Sequence, residues 1–95
     1  MNKEALYTQE LLEILHKISG DKKLLHEFLV DLLTPREYAE IVKRWQIVKL
    51  LAKDIPQREI AKELEVSIAT ITRGSRELLN KQGGFQRVLK MIERN

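Results

Sequence analysis

Few side chains in this 95-residue sequence are equipped to make or break bonds. There is no cysteine, which excludes disulfides, thiolate metal sites and cysteine nucleophiles. His16 and His26 fall in separate helical stretches and lack the spacing of a metal pair. Ser19, Ser67 and Ser75 have no base at a spacing that would activate them; capping and phosphate contact are simpler uses of those hydroxyls. No glycine loop is built to cradle a phosphate, and no acid–base set is paired. These absences argue against an enzyme. What remains is recognition chemistry, and it is concentrated between Gln57 and Ser75, in QREIAKELEVSIATITRGS.

That stretch predicts two helices and a tight turn. The first covers Gln57 to Leu64, with Ile60, Ala61 and Leu64 on one face. Glu65, Val66 and Ser67 form the turn, and Ser67 caps a second helix that begins at Ile68. Ala61 is small, as a close and steep helix crossing requires. Ile60, Leu64, Val66 and Ile71 have the spacing to fill the core between the two helices. Ile68, Ala69, Thr72 and Arg73 are left free to face a partner. In a helix-turn-helix these N-terminal positions of the second helix meet base edges in the major groove of DNA. Arg58 is the best-placed residue of the first helix for a backbone or base contact. For Lys62, Arg76 and Lys81, phosphate contact and plain solvation stay open side by side. The competing reading of the whole stretch is a plain helical hairpin.

The elements that must position this motif are also helical. Leu11, Ile14, Leu15 and Ile18 recur at helical spacing from about Glu4 to Ser19, and Gly20 is expected to end that helix in a left-handed conformation. Asp21 can cap a second helix to about Leu32, apolar over a wide arc: Leu24, Leu25, Phe28, Leu29, Leu32 and Leu33. Such a helix needs cover on more than one side, from the core or from another subunit. Thr34-Pro35-Arg36-Glu37 reads as a capping box with proline at the first helical position. The third helix runs to about Lys53, with Tyr38, Ile41, Val42, Trp45, Val48 and Leu51 on one broad face. Asp54-Ile55-Pro56 breaks it. Asn80 to Gly84 reads as a loop, and Phe85, Val88, Leu89 and Ile92 place a last helix at about 85–94. The pattern predicts an all-α, six-helix single domain over 1–95, with helices in 4–53 for core and dimerisation and the motif at about 57–78.

Composition is compatible with this. Lys and Arg number 17 against 14 Asp and Glu, a net charge of +3, and the pI is about 9.3. The balance favours a polyanionic partner only weakly. No apolar run reaches spanning length, and MNKEALYTQELL is polar and amphipathic, so a cytoplasmic protein with no membrane partner is expected.

As a set, LLTPRE (Leu32 to Glu37), an arginine ten residues past Thr34, QRE (Gln57 to Glu59) and ITRGS (Ile71 to Ser75) resemble the Trp repressor family. The resemblance covers about Leu24 to Leu78 and extends more loosely, by helix order, to both ends. It implies an intertwined homodimer that presents two recognition helices to successive major grooves of a palindromic operator. It also implies L-tryptophan as a corepressor, bound between the central core and the reading head. By that resemblance Arg73 holds the ligand carboxylate and Arg44 stacks on the indole. Thr70 and Gly74 border the ligand. The backbone carbonyls of Asp31 and Leu33 receive the ammonium group, with Thr34 beside them. The DNA-facing set becomes Arg58, Ala61, Lys62, Ile68, Ala69, Thr72, Ser75 and Arg76. An arginine fork does fit a carboxylate, and a flat guanidinium does lie on an indole face. Without the resemblance, a solvated or phosphate-binding arginine is the ordinary reading of both Arg44 and Arg73.

The chain departs from the family pattern at several points. Glu77 stands where the family has an ammonium-contacting serine, and joins the ligand set on that ground. The link Lys53 to Pro56 is one residue short, which rotates Arg44 relative to Arg73 unless the turn absorbs the change. Ala61 and Gln46 replace basic residues. Glu65 replaces the turn glycine, so either Glu65 tolerates the turn or the turn differs. Trp45, the lone tryptophan, is read as core packing or as a neighbour of the ligand pocket. The leading expectation is a transcriptional repressor that answers to L-tryptophan. The alternatives are a regulator of the same fold without that response, and a helical protein–protein adaptor using the face Leu24 to Leu33.

Overall fold

The structure, a computed structural model, describes residues 2–93. Among these residues it contains α1 (Lys3–Ile18), α2 (Lys22–Leu32), α3 (Pro35–Ala52), α4 (Gln57–Leu64), α5 (Ile68–Leu78) and α6 (Gly84–Glu93), and no strand. The expected last helix reaches residue 94, which lies outside the described residues. Packing divides the chain into two compact units, one up to Tyr38 and one from Ala39.

Short polar side chains start most of the helices, by satisfying amides that have no partner inside the helix. Asn2 Oδ1 accepts from the Ala5 amide at 2.8 Å, and Asp21 Oδ1 from the Leu24 amide at 3.0 Å. At α3 the predicted capping box is complete. The Thr34 amide donates to Glu37 Oε1 at 2.8 Å, and the Glu37 amide donates back to Thr34 Oγ1 at 3.1 Å. The Thr34 backbone amide, then its side chain, hold the Glu37 carboxyl below the usual glutamate range. The end of α1 differs from expectation. No glycine has positive φ, and Ser19 closes the helix in a right-handed conformation, so Gly20 is not a left-handed cap.

In the first unit α1 packs on α2, yet neither helix contains a fully buried residue. Leu11, Ile14, Leu24, Val30 and Leu32 all stay exposed. His26 Nδ1 and Tyr38 Oη lie 2.9 Å apart, with the two rings tilted against each other.

The second unit has a compact centre. Ile47, Ile60 and Ile71 are buried and touch one another, with Leu50, Leu51, Ile55, Ala61, Leu64 and Val66 packed around them. Val48 is buried as well. Ile47 widens the face predicted for α3. Val48 and Leu51 of the predicted face are buried or packed on the core, its Ile41 and Val42 are 48% and 50% exposed, and Ile47, outside that face, is 1% exposed. The loop after α5 also shifts. The paired glycines do not end α5; Gly84 is the first residue of α6. The Gln86 side-chain amide donates to the Leu78 carbonyl at 2.7 Å and so satisfies an acceptor left open at the end of α5.

Two acidic residues carry the chain around the ends of α3 and α4. Asp54 has φ 60° and Glu65 has φ 55°. After α3 the Ile55 amide reaches the Leu50 carbonyl at 3.1 Å and the Asp54 amide reaches the Leu51 carbonyl at 3.0 Å. This is the paired closure of a Schellman turn, with an aspartate in the place usually held by glycine. Ile55 then packs into the core beside Leu50. After α4 the amides of Glu65 and Val66 both donate to the Ala61 carbonyl. The turn is therefore kept and Glu65 tolerates it.

A left-handed non-glycine residue costs about 1–2 kcal/mol, part of which glycine would return as extra freedom in the unfolded chain. Glu65→Gly is expected to raise stability by about 0.5–1 kcal/mol, read as a higher urea midpoint at unchanged slope. The Glu37 carboxyl titrates lower in the folded chain than in the unfolded one. Its stabilising contribution is therefore present above the ordinary glutamate range and is lost as pH falls through its lowered folded value. Protection of the Thr34 amide, taken relative to its intrinsic exchange rate at each pH, should fall across that acid window, and Glu37→Gln should flatten the dependence.

Candidate functional site

α4 and α5 pack as a helix-turn-helix, and their shared core decides which faces remain outside. Ile60 of α4 and Ile71 of α5 are wholly buried. Ser67 caps α5: its Oγ accepts from the Thr70 amide at 3.2 Å and lies 2.9 Å from Thr70 Oγ1. Helical periodicity then places Ile68, Thr72 and Arg76 in one row, and Ala69, Arg73 and Glu77 in the next. All six are exposed, whereas Ile71 and Gly74 on the opposite side are buried. On α4, Arg58 and Lys62 form one exposed row and Glu59 and Glu63 another. The basic charges of α4 are thereby separated from its acidic ones.

Not every predicted DNA residue is equally outward. Arg58, Lys62, Ile68, Ala69, Thr72 and Arg76 are exposed. Ser75 is half-buried. Ala61 is half-buried as well and packs against the isoleucine core, where its small size is used. The Thr72 hydroxyl turns back toward its own scaffold, 3.0 Å from the Ile68 carbonyl and 3.4 Å from Gln57 Oε1.

The residues expected at a ligand divide between the two units. In the second, Arg44 on α3 and Arg73 on α5 are exposed, and neither pairs with another described residue. Arg73 and Glu77 are neighbours four residues apart on one face of α5, with no hydrogen bond or ion pair between them. Together they offer a fork for a carboxylate and a carboxylate for an ammonium group. Thr70 is exposed, its hydroxyl paired with that of Ser67. Gly74 is buried, and the reason is specific. A Cβ built there would lie 3.1 Å from Ile47 Cγ2 and 3.8 Å from Leu51 Cδ1, so α5 crosses α3 closely because residue 74 has no side chain. In the first unit Thr34 is exposed, its oxygen used by the α3 cap. Trp45 is half-buried and lines an open apolar groove of about 490 Å³ with Gly84, Phe85 and Val88. Trp45 and α6 thus border the same groove.

Two residues that shape this site were not singled out from the sequence. Ile47 sets the depth at which α5 lies, and Gln57 reaches across to Thr72. The signal for Ile47 was its helical spacing to Leu50 and Leu51. For Gln57 the signals were its place at the start of α4 and in the QRE run. Among the described residues no group of histidine, aspartate and glutamate is placed to hold a metal, and no helix is long and apolar enough to cross a membrane.

Comparison with known proteins places these features in context. The family model described as Trp repressor protein matches residues 7–93. A protein named Trp operon repressor homolog from Haemophilus influenzae (strain PittEE) is 40% identical over 84 residues, covering 83% of this chain and 83% of that protein. A protein of the same name from Chlamydia caviae is 40% identical over 86 residues, covering 90% of this chain and 84% of its own length. Another, from Actinobacillus succinogenes, is 57% identical over a shorter stretch of 53 residues, 55% of this chain and 52% of that protein. No solved structure matches the chain significantly.

The crossing at Gly74 yields a direct test. Gly74→Ala forces a methyl group against buried Ile47 and should cost about 1–3 kcal/mol, read as a lower thermal midpoint. The double variant Gly74→Ala/Ile47→Leu removes the crowded Cγ2 methyl by moving the branch from Cβ to Cγ, and should recover part of that loss.

Proposed function

The chain belongs to the Trp repressor family, and from that premise we propose that it is a sequence-specific DNA-binding repressor, acts as an intertwined homodimer and takes L-tryptophan as corepressor. One observation carries the DNA-binding part. The first turns of α5 expose Ile68, Ala69, Thr72 and Arg73, while the far side of the helix is locked by Ile71 and Gly74. A recognition helix needs this combination of a rigid back and a free front. In this reading Ile68, Ala69 and Thr72 meet bases or their waters in the major groove. Arg58, Lys62, Arg76 and Ser75 hold the phosphate backbone, and Ala61 adds only contact through its small exposed part. Two such helices, one per protomer, enter successive grooves about 34 Å apart.

The homodimer is supported by what a single chain leaves uncovered. Leu24 and Leu32 of α2 are 44% and 50% exposed, and Ile41 and Val42 of α3 are 48% and 50% exposed. At 95 residues a chain buries only a modest core by itself, and association removes such surface from water.

The corepressor part rests on the arginines and on Gly74. Arg73 grips the tryptophan carboxylate, and Arg44 lies on the indole face. Thr70, Thr34 and Gly74 border the ligand, and Glu77 takes its ammonium group. Bound tryptophan fills space beside α5 and fixes the angle of the reading head, so that both recognition helices fit the operator at once. Glu77 also motivates the second reading, a repressor of the same fold that ignores tryptophan. Its carboxylate suits the ammonium group, yet it also places a negative charge near the ligand carboxylate.

Calorimetric titration separates the two. Saturable binding of L-tryptophan is expected, with little response to indole-3-propionate, which lacks the ammonium group that Glu77 attracts. Arg73→Ala should weaken tryptophan binding about tenfold or more, the cost of a charge-assisted fork. If no heat of binding is seen with the wild-type chain, the tryptophan assignment falls and the DNA-binding one stands.

A further inference from the structure

α6 meets the end of the recognition helix at one polar point. Gln86 Nε2 donates to the Leu78 carbonyl at 2.7 Å, the one side-chain hydrogen bond between α5 and α6 among the described residues. A carbonyl can only accept, so the nitrogen of the amide must face it, and chemistry alone fixes which way Gln86 points. Leu78 is the last residue of α5. The amides that follow turn elsewhere: Leu79 to the Ser75 carbonyl, Asn80 to the Glu77 carbonyl, Gln82 to Asn80 Oδ1 and Gly83 to the Asn80 carbonyl. Gln86 supplies the donor that the chain end does not. It is half-buried, as are Phe85 before it and Leu89 one turn on, while Arg87 and Lys90 are exposed. A polar residue on the inward side of a helix costs free energy unless it finds a partner, and the Leu78 carbonyl is that partner. The same helix borders the groove beside Trp45 of α3 through Phe85 and Val88.

From this geometry we propose that Gln86 is a positioning residue for DNA readout: it fixes the tilt of α5, so that Ile68, Ala69 and Thr72 reach their bases together. The proposal rests on the DNA-binding reading above. Gly74 and Leu78 lie in one row on the back of α5, a single turn or about 6 Å apart. At Gly74 the neighbour is the Ile47 methyl, and apolar contact has no direction. It sets how deep the helix lies and leaves its tilt free. At Leu78 the contact is a hydrogen bond, which weakens steeply as its angle departs from linear. Leverage makes this matter at the front of the helix. Ile68 is about 9 Å along the axis from Gly74, so a tilt of about 10° there moves it by roughly 1.5 Å. A base contact does not survive such a shift. The side chains of Arg58 and Lys62 are long and flexible enough to follow it and keep a phosphate. Loss of Gln86 should therefore cost sequence discrimination and spare general DNA affinity.

The test uses the full chain, the duplex that it enriches most strongly from a random-sequence pool, and an unselected duplex of equal length. Affinities are measured below the thermal midpoint of every variant and corrected for the active fraction. Gln86→Met keeps the length of the side chain and removes the donor. The ratio of the two affinities is expected to fall about tenfold, the worth of one good base contact, with the unselected duplex bound within twofold of wild type. The salt slope should stay the same, because no charge has changed. Gln86→Glu puts an acceptor where the donor was, yet favours the first turn of α6, so it should remain folded. Its ratio should fall at least as far as that of Gln86→Met, whatever its added charge does to both affinities. An unchanged ratio in either variant overturns the proposal. So does a Gln86→Met loss shared equally by both duplexes, or a lowered thermal midpoint with discrimination intact, since each marks Gln86 as a stabilising contact and nothing more. A wild-type chain that enriches no duplex overturns the DNA-binding reading itself, and the role of Gln86 with it.

Discussion

The contact between Ile47 of α3 and the bare backbone at Gly74 of α5 is the constraint on which the rest of the second unit depends. With a methyl carbon 3.1 Å from the position of a missing Cβ, a side chain at residue 74 fits only if Ile47 gives way by a few tenths of an ångström. Close approach brings Ile47, Ile60 and Ile71 into one cluster. Burying an isoleucine is worth about 1.5–3 kcal/mol, so three of them supply a large part of what holds two short helices in place. α4 has eight residues and α5 eleven. Helices of that length are marginal in water by themselves, and tertiary packing must provide their stability. The same packing puts Ile71 and Gly74 inside and thereby sets the Ile68, Thr72 and Arg76 row outside.

The turns around α4 show the opposite economy. Asp54 and Glu65 both adopt a left-handed backbone that glycine would adopt without strain. Asp54 lets the chain leave α3 within a short link and still close both orphan carbonyls. The link from Lys53 to Pro56 is therefore a compact turn, and α3 stays helical up to Ala52. Strain at both ends of the first motif helix is tolerated because Ile55, Leu64 and Val66 beside those turns are packed into the core. The motif is thus held by a small isoleucine cluster with left-handed turns on either side of α4. That suits a part whose angle a ligand is proposed to set.

The first unit has a different balance. Its helices begin with well-formed caps, and the Thr34–Glu37 box is complete on both sides. Its apolar rows nevertheless remain in view of solvent, without one fully buried side chain in α1 or α2. Local signals are enough to specify where these helices start. They are not enough to bury them, and in the proposed dimer that burial comes from a second chain.

Much of the fold was legible in the sequence because it is written in local chemistry. Asp21, Thr34, Glu37 and Ser67 announce helix starts, since a short oxygen at the cap has few other uses there. The spacing of Ile60, Leu64, Val66 and Ile71 gives the motif core, and the bounds of α4 and α5 follow from it. The outward set Arg58, Lys62, Ile68, Ala69, Thr72 and Arg76 was legible for the same reason, as the complement of that core. Other features had to wait for the packed chain. Gly20 has the right residue type for a left-handed cap, but local hydrogen bonding closes α1 without it. Ile47 is one of several apolar residues on α3, and only the crossing of α5 selects it. Ala61 was counted with the DNA-facing residues by its position in the motif, while packing turns part of it inward. Whether Glu65 would keep the turn depended on whether neighbouring contacts outweigh the strain of its backbone. Gln57 and Thr72 lie fifteen residues apart, a pairing that no local spacing encodes. Caps, periodicity and charge act over a few residues and can be read from the chain; which of two apolar rows is buried, and which distant side chains meet, is decided by how the helices cross.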